Sequence, residues 1–188
     1  SYVYTSGTTG SPKAVMLSHR NLVWTSKNII QNCFQLYPHD RLISYLPLNH
    51  IAEQMNSIYA PILTGSTVYF GQDLSTLLED IKFTHPTFFV GVPRVWEKIK
   101  TSLEEKFRSN NILNLLFQGT LKVGSPLLSE DPLGLMERVR VKISDFAFGK
   151  RIRQGLGLDR CMLPVVGAAP IDVEVLEFFA KLKFVKYL

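Results

Sequence analysis

Residues 2–5, Tyr-Val-Tyr-Thr, run apolar and β-branched straight into a cluster of Ser, Thr and Gly, and an apolar run resumes at 14–17. Two short strands on either side of a polar loop are therefore predicted. Ser18 can cap a helix over 19–34, in which Leu22, Thr25, Ile29 and Cys33 fall near one face. A strand over 41–46 closes at Pro47, a helix over 49–63 ends before Gly65, and 67–70 form a third strand of this region. Residues 74–84 are helical in pattern, and 87–92 form a continuous apolar run of the kind buried in parallel sheets. Pro93 is placed as the first residue of a long polar helix with Trp96, Ile99, Leu103 and Phe107 on one stripe, which reads as core. Gly119, Gly124 and Pro126 argue for a short helix and then a loop over 110–129, and 135–154 read as one or two basic amphipathic helices. A strand over 161–166, a turn at Gly167 to Pro170, a helix capped by Asp172 and running to Leu182, and a last strand complete the pattern. Strands alternate with helices, so the predicted class is α/β with a largely parallel sheet and flanking helices.

Composition narrows the class without naming an activity. A chain of 188 residues, 46% hydrophobic and 20% charged, is long enough for one globular domain with a core and argues against disorder. No run approaches the roughly 20 apolar residues of a membrane span, and no basic-then-apolar leader opens the sequence. Cys33 and Cys161 stand far apart with no C-x-x-C and no His cluster, so neither a zinc site nor a disulfide framework is indicated, which fits a reducing compartment. The net charge of +5 is uneven: Arg138, Arg140, Lys142, Lys150, Arg151 and Arg153 oppose only Asp145 in their stretch. Acidic phosphates or an anionic membrane surface could use such a face, and a solvated helix surface accounts for it equally well.

The candidate chemistry lies in Tyr4-Thr5-Ser6-Gly7-Thr8-Thr9-Gly10-Ser11-Pro12-Lys13. Its hydroxyls and backbone N–H groups can donate to a phosphate chain, the glycines can open the backbone toward a ligand, and the lysine supplies a point charge beside a rigid proline. The Walker spacing G-x-x-x-x-G-K-[ST] does not fit, because Pro12 stands where its second glycine would be. From the residues alone, a polar hairpin loop without a ligand is the competing account.

The whole string resembles, residue for residue, the phosphate-binding signature of the adenylate-forming enzymes, which include acyl-CoA synthetases, luciferases and peptide-synthetase adenylation domains. Three further segments fall in the order that superfamily uses. Leu46-Pro47-Leu48-Asn49-His50-Ile51-Ala52-Glu53-Gln54 is similar to the L-P-L-[SN]-H-I-A-E segment of long-chain acyl-CoA synthetases, Gly91-Val92-Pro93-Arg94-Val95-Trp96-Glu97-Lys98 to their G-V-P-R-V-[WF]-E-K segment, and Gly167-Ala168-Ala169-Pro170 to their G-A-A-P turn. The second and third segments resemble bubblegum-type fatty acid–CoA ligases most closely. In that family the G-A-A-P turn is followed, after one helix and one strand, by Y-G-x-[ST]-E, and here the sequence reads Tyr187-Leu188. The expectation is therefore a partial AMP-binding domain over residues 1–188, incomplete at both ends, and inactive as a ligase by itself.

The resemblance implies a long-chain fatty acid–CoA ligase that consumes ATP, with magnesium (Mg2+), and passes the acyl group to CoA through an acyl-adenylate. It implies Lys13 against the leaving phosphates, with Ser6, Gly7, Thr8, Thr9, Gly10, Ser11 and Pro12 around them, Thr5 as a magnesium ligand, His50 beside the reacting carboxylate, and Gly167, Ala168, Ala169 and Pro170 as a wall against adenine. A helix-start histidine satisfied by a backbone carbonyl is the other account of His50. Ala14 departs from the family's usual glycine, and a methyl there would matter if the backbone needed φ > 0. Phe88, Phe89 and Trp96 either border an acyl tunnel or belong to the core, the commoner fate of aromatic residues at such spacing. Fatty acid, ATP and CoA are the expected partners, with no nucleic acid. Peripheral membrane association through the basic 138–153 stretch fits a cytoplasmic protein, including one held at the endoplasmic reticulum surface. The alternative to an enzyme is a non-catalytic, truncated nucleotide- or acyl-binding module.

Overall fold

In the computed structural model, which describes residues 1–5, 12–128, 132–167 and 169–184, two strands form where the apolar runs flank the polar loop. These are β1 (Tyr2–Thr5) and β2 (Lys13–Met16), paired antiparallel with Tyr2 opposite Met16 and Thr5 opposite Lys13. The expectation of a largely parallel sheet does not extend to this pair, for a simple reason of reach. The connection over residues 6–12 is shorter than the dozen or so residues that a parallel crossover needs. Parallel pairing appears between β3 (Arg41–Ser44) and β4 (Thr67–Phe70), where the crossover is helical. A third two-stranded piece joins β5 (Phe88–Gly91) to β6 (Leu163–Val166). The result is an α/β fold with parallel sheet pieces and flanking helices.

The chain divides into two compact units, Ser1–Phe88 and Phe89–Leu188. In the first, Ser18 caps α1 (His19–Asn32): its hydroxyl accepts from the Asn21 N–H at 3.1 Å while the Asn21 side chain accepts from the Ser18 N–H at 3.0 Å. This reciprocal pair satisfies two donors that a helix start would otherwise leave open. The crossover predicted over 49–63 is one helical path in three parts: α2 (Ile51–Gln54), a π-helical turn at Met55–Tyr59, and α3 (Ala60–Thr64). Gly65, at φ 73°, ends it in the left-handed conformation that glycine adopts without penalty. The following helix, α4 (Leu77–Thr84), buries Leu77 and Ile81. Asp40 is fully buried and accepts from the Tyr37 N–H and the Thr87 hydroxyl, both at 2.7 Å. Thr87 also donates its N–H to the Arg41 carbonyl at 3.0 Å.

The second unit is built on α5 (Pro93–Arg108), whose predicted stripe Trp96, Ile99, Leu103 and Phe107 is buried throughout. Trp96 packs edge-on against Phe89 and Phe179, with ring centroids 5.4 and 4.9 Å away. Asn110 caps α6 (Asn111–Gly124) by accepting from the N–H groups of Ile112 and Leu113 at 3.0 and 3.1 Å. The expected short helix and loop is thus a full helix followed by a 3-10 turn at Ser125–Leu128. Next come α7 (Leu135–Ser144), a second π-helical turn at Asp145–Gly149 and α8 (Lys150–Leu156). Asp172 caps α9 (Val173–Lys181) by accepting from the Glu174 N–H at 3.0 Å, as the sequence predicts. The last strand predicted at 184–188 falls outside the described residues beyond Phe184, which is buried.

Candidate functional site

The antiparallel register makes Thr5 and Lys13 Cα partners at the last rung of the ladder, so the two chain ends of the polar loop leave the ribbon side by side. Ser6, Gly7, Thr8, Thr9, Gly10 and Ser11 lie outside the described residues. Pro12 and Lys13 are exposed, at the foot of the polar loop. Ala14 pairs with Tyr4 inside the ladder and is not among the residues with positive φ. Its methyl therefore meets extended backbone that alanine adopts without strain, and the departure from glycine carries no conformational penalty there.

His50 occupies the N-cap position of α2, at φ −87° and ψ 128°, and is exposed. Its backbone is strongly held: its N–H donates to the Pro47 carbonyl at 3.0 Å, and its carbonyl accepts from the N–H groups of Glu53 and Gln54, both at 3.1 Å. Its imidazole makes no hydrogen bond with the described residues, so no backbone carbonyl there accounts for it. Three residues on, Glu53 is only 2% exposed. Its Oε1 accepts from the Ser44 hydroxyl at 2.7 Å and from the Ser57 hydroxyl. Sequence reasoning assigned no role to this trio. The available signal was an acidic residue directly after Ile51-Ala52 within the L-P-L-N-H-I-A-E segment.

The Gly167 to Pro170 turn lies in the second unit. The Gly167 N–H donates to the Gly91 carbonyl at 3.4 Å, at the end of the β5–β6 pair. A Cβ built on Gly167 would meet no atom of the described residues within 4 Å. Ala169 and Pro170 are exposed, and Ala168 lies outside the described residues. Phe88, Phe89 and Trp96, at 7%, 0% and 2% exposure, are core, which answers the choice between tunnel and core at these positions.

Among the described residues no three of His, Cys, Asp and Glu stand together as a metal cage, and neither cysteine is in a disulfide. Magnesium needs one or two carboxylates besides substrate phosphates. Thr5, the one residue expected to hold it, supplies a hydroxyl and not a carboxylate. The basic stretch resolves into two groups: Arg153 is paired with Asp145 at 2.7 Å and donates to the Leu182 carbonyl at 2.8 Å, whereas Arg138, Arg140, Lys142, Lys150 and Arg151 are exposed. No helix of the described residues is long and apolar enough to cross a membrane.

The chain belongs to the AMP-binding enzyme family, whose pattern it matches over residues 1–185. It is similar to the long-chain-fatty-acid–CoA ligases ACSBG2 of Gallus gallus, 39% identical over 96% of this chain, and ACSBG2 of Rattus norvegicus, 36% identical over 96%. It is also 34% identical over 98% of its length to ACSBG1 of Rattus norvegicus. These ligases are of the bubblegum type. The chain spans 25%, 28% and 27% of the lengths of these relatives. Among solved structures it resembles the A-PCP didomain of carboxylic acid reductase from Segniliparus rugosus in complex with AMP, with a TM-score of 0.63 and 25% identity over 98% of this chain and 22% of that one.

Proposed function

We propose that this chain is the phosphate-handling part of an ATP-dependent long-chain fatty acid–CoA ligase that works through an acyl-adenylate. A fatty carboxylate oxygen attacks the α-phosphorus of ATP, the bond to the bridging oxygen breaks, and pyrophosphate leaves with the electron pair. The CoA sulfur then attacks the acyl carbon and AMP departs. Such transfers depend on positioning and on neutralising phosphate charge rather than on an enzyme nucleophile. The observation that supports the reading is the Thr5–Lys13 rung, which sets an exposed lysine at the end of the Ser/Thr/Gly segment. Names of relatives and the family match support the same chemistry.

The test is Lys13→Ala in the complete ligase, with fatty acid-dependent pyrophosphate release as the readout. A charge-assisted hydrogen bond is worth about 1.5–3 kcal/mol, so a loss of roughly tenfold to a hundredfold in adenylation is expected. The variant should still fold, because Lys13 lies at an exposed position at the end of a two-stranded ribbon. Unchanged acyl-AMP formation would refute the assignment, and tight ATP binding without turnover in the wild type would favour the non-catalytic module.

A second reading concerns a membrane surface. On α7, Leu135, Met136, Val139 and Ile143 are 78%, 68%, 44% and 63% exposed, and Arg138, Arg140 and Lys142 are exposed beside them. An apolar stripe edged by cations suits the interface of an anionic bilayer, where the stripe enters the headgroup region and the cations meet phosphate.

A further inference from the structure

A ten-residue stretch, residues 44–53, leads from the last residue of β3 through the L-P-L-N-H segment into α2. Its two ends are joined by a side-chain bond: the Ser44 hydroxyl donates to the Glu53 carboxylate at 2.7 Å. A second tie lies just outside the first, where the Asn56 side chain donates to the Ile43 carbonyl at 3.1 Å. The π-helical turn at Met55–Tyr59 brings both Asn56 and Ser57 to this buried side, and Ser57 gives the Glu53 carboxylate its second donor. Just past the stretch, the Gln54 side chain donates back to the Leu48 carbonyl at 2.7 Å, and within it His50 is held through both its N–H and its carbonyl.

A carboxylate is a costly group to bury, and one held by hydroxyls alone is an expensive way to fill a core. An apolar side chain would pack the same space more simply. What the carboxylate supplies is directional: two acceptor bonds to one oxygen fix the helix start to the strand end, and His50, which is exposed, sits one turn earlier on that same helix start. π-helical turns recur at functional sites because they re-aim side chains in this way.

We propose that Glu53 is a positioning residue, whose buried carboxylate closes the 44–53 loop on Ser44 and Ser57 and thereby sets where the exposed His50 imidazole stands. The inference rests on the ligase reading for its effect on rate, but its effect on His50 does not need activity to be seen. Fixing a reacting group matters because a displacement of about 1 Å can cost on the order of a hundredfold in rate.

The experiment uses the complete ligase and the variants Glu53→Ala, Glu53→Gln, Ser57→Ala and His50→Ala. Readouts are turnover in fatty acid-dependent pyrophosphate release per folded molecule, KM for ATP, and the imidazole carbon-bound proton signal of His50 by NMR, assigned by its loss in His50→Ala. Glu53→Ala is expected to lower kcat by roughly tenfold or more with KM for ATP unchanged, and to shift or broaden the His50 signal. Glu53→Gln keeps an acceptor oxygen for both hydroxyls and should restore most of kcat and the native His50 signal. If Glu53→Ala does not fold, Ser57→Ala removes one donor and should produce the same changes in smaller measure. A native His50 signal and wild-type turnover per folded molecule in Glu53→Ala, or in Ser57→Ala if that is the variant that folds, would overturn the proposal, whatever the melting temperature. Full turnover in His50→Ala would instead overturn the role given to His50, leaving the NMR signal to decide whether Glu53 positions it.

Discussion

Gly119 and Gly124 sit five positions apart on the same helix, α6, yet replacing each by alanine should shift stability in opposite directions. A Cβ at Gly119 would meet nothing within 4 Å, whereas one at Gly124 would collide with the Lys181 carbonyl oxygen and lie 2.8 and 2.9 Å from the Lys181 carbonyl carbon and Cα. The obstruction is backbone of α9, not the end of a flexible side chain, so α6 and α9 must move apart. Overpacking of this kind costs about 1–3 kcal/mol, and at the last residue of the helix alanine recovers only part of its roughly 1 kcal/mol propensity advantage over glycine. A net loss of about 1–2 kcal/mol for Gly124→Ala corresponds to a fall of roughly 2–8 °C in melting temperature at this chain length. Gly119→Ala, mid-helix and exposed, should gain about 0.5–1 kcal/mol. Urea denaturation followed by tryptophan fluorescence suits the question, because Trp96 is 2% exposed in the same unit and Trp24 is 65% exposed and insensitive to burial. A Gly124→Ala variant as stable as wild type, or two variants shifted in the same direction, would show that the close approach of α6 and α9 has been misjudged.

Three further outcomes are expected. His50→Ala should lower turnover in fatty acid-dependent pyrophosphate release while leaving KM for ATP and melting temperature unchanged, since the ring is exposed and makes no hydrogen bond with the described residues; a drop in melting temperature with normal turnover per folded molecule would make it structural. Asp145→Ala leaves the half-buried Arg153 with only the Leu182 carbonyl among the described residues, and a loss of about 1–3 kcal/mol in urea denaturation is expected, with Asp145→Asn losing less; equal stability of the three proteins would refute it. Ile143→Asp in the complete protein should abolish co-flotation with phosphatidylserine-containing vesicles, and Arg140→Gln with Lys142→Gln should weaken it and reduce its dependence on salt; binding unaltered by these changes would rule out α7 as the contact.

Sequence alone determined what depends on near neighbours along the chain. The Ser18 and Asp172 caps, the Pro93 helix start, the Gly65 stop and the buried stripe from Trp96 to Phe107 are all legible because capping and the 3.6-residue period act within a turn or two. The four motif segments were legible for a different reason, since each keeps its residue types in a contiguous run. Tertiary structure decided what depends on residues far away in sequence. Nothing local separates Gly119 from Gly124, and only the backbone of α9 makes one tolerant and the other essential. Glu53 has no assigned role in the sequence, and only the fold brings Ser44 and Ser57 onto its carboxylate. The antiparallel rung that sets Lys13 opposite Thr5 follows from pairing across the loop, and the outward face of Leu135, Met136 and Ile143 follows from which side of α7 the second unit covers. Burial and pairing are properties of the assembled surface, and a one-dimensional pattern reports them only when the partner is close by.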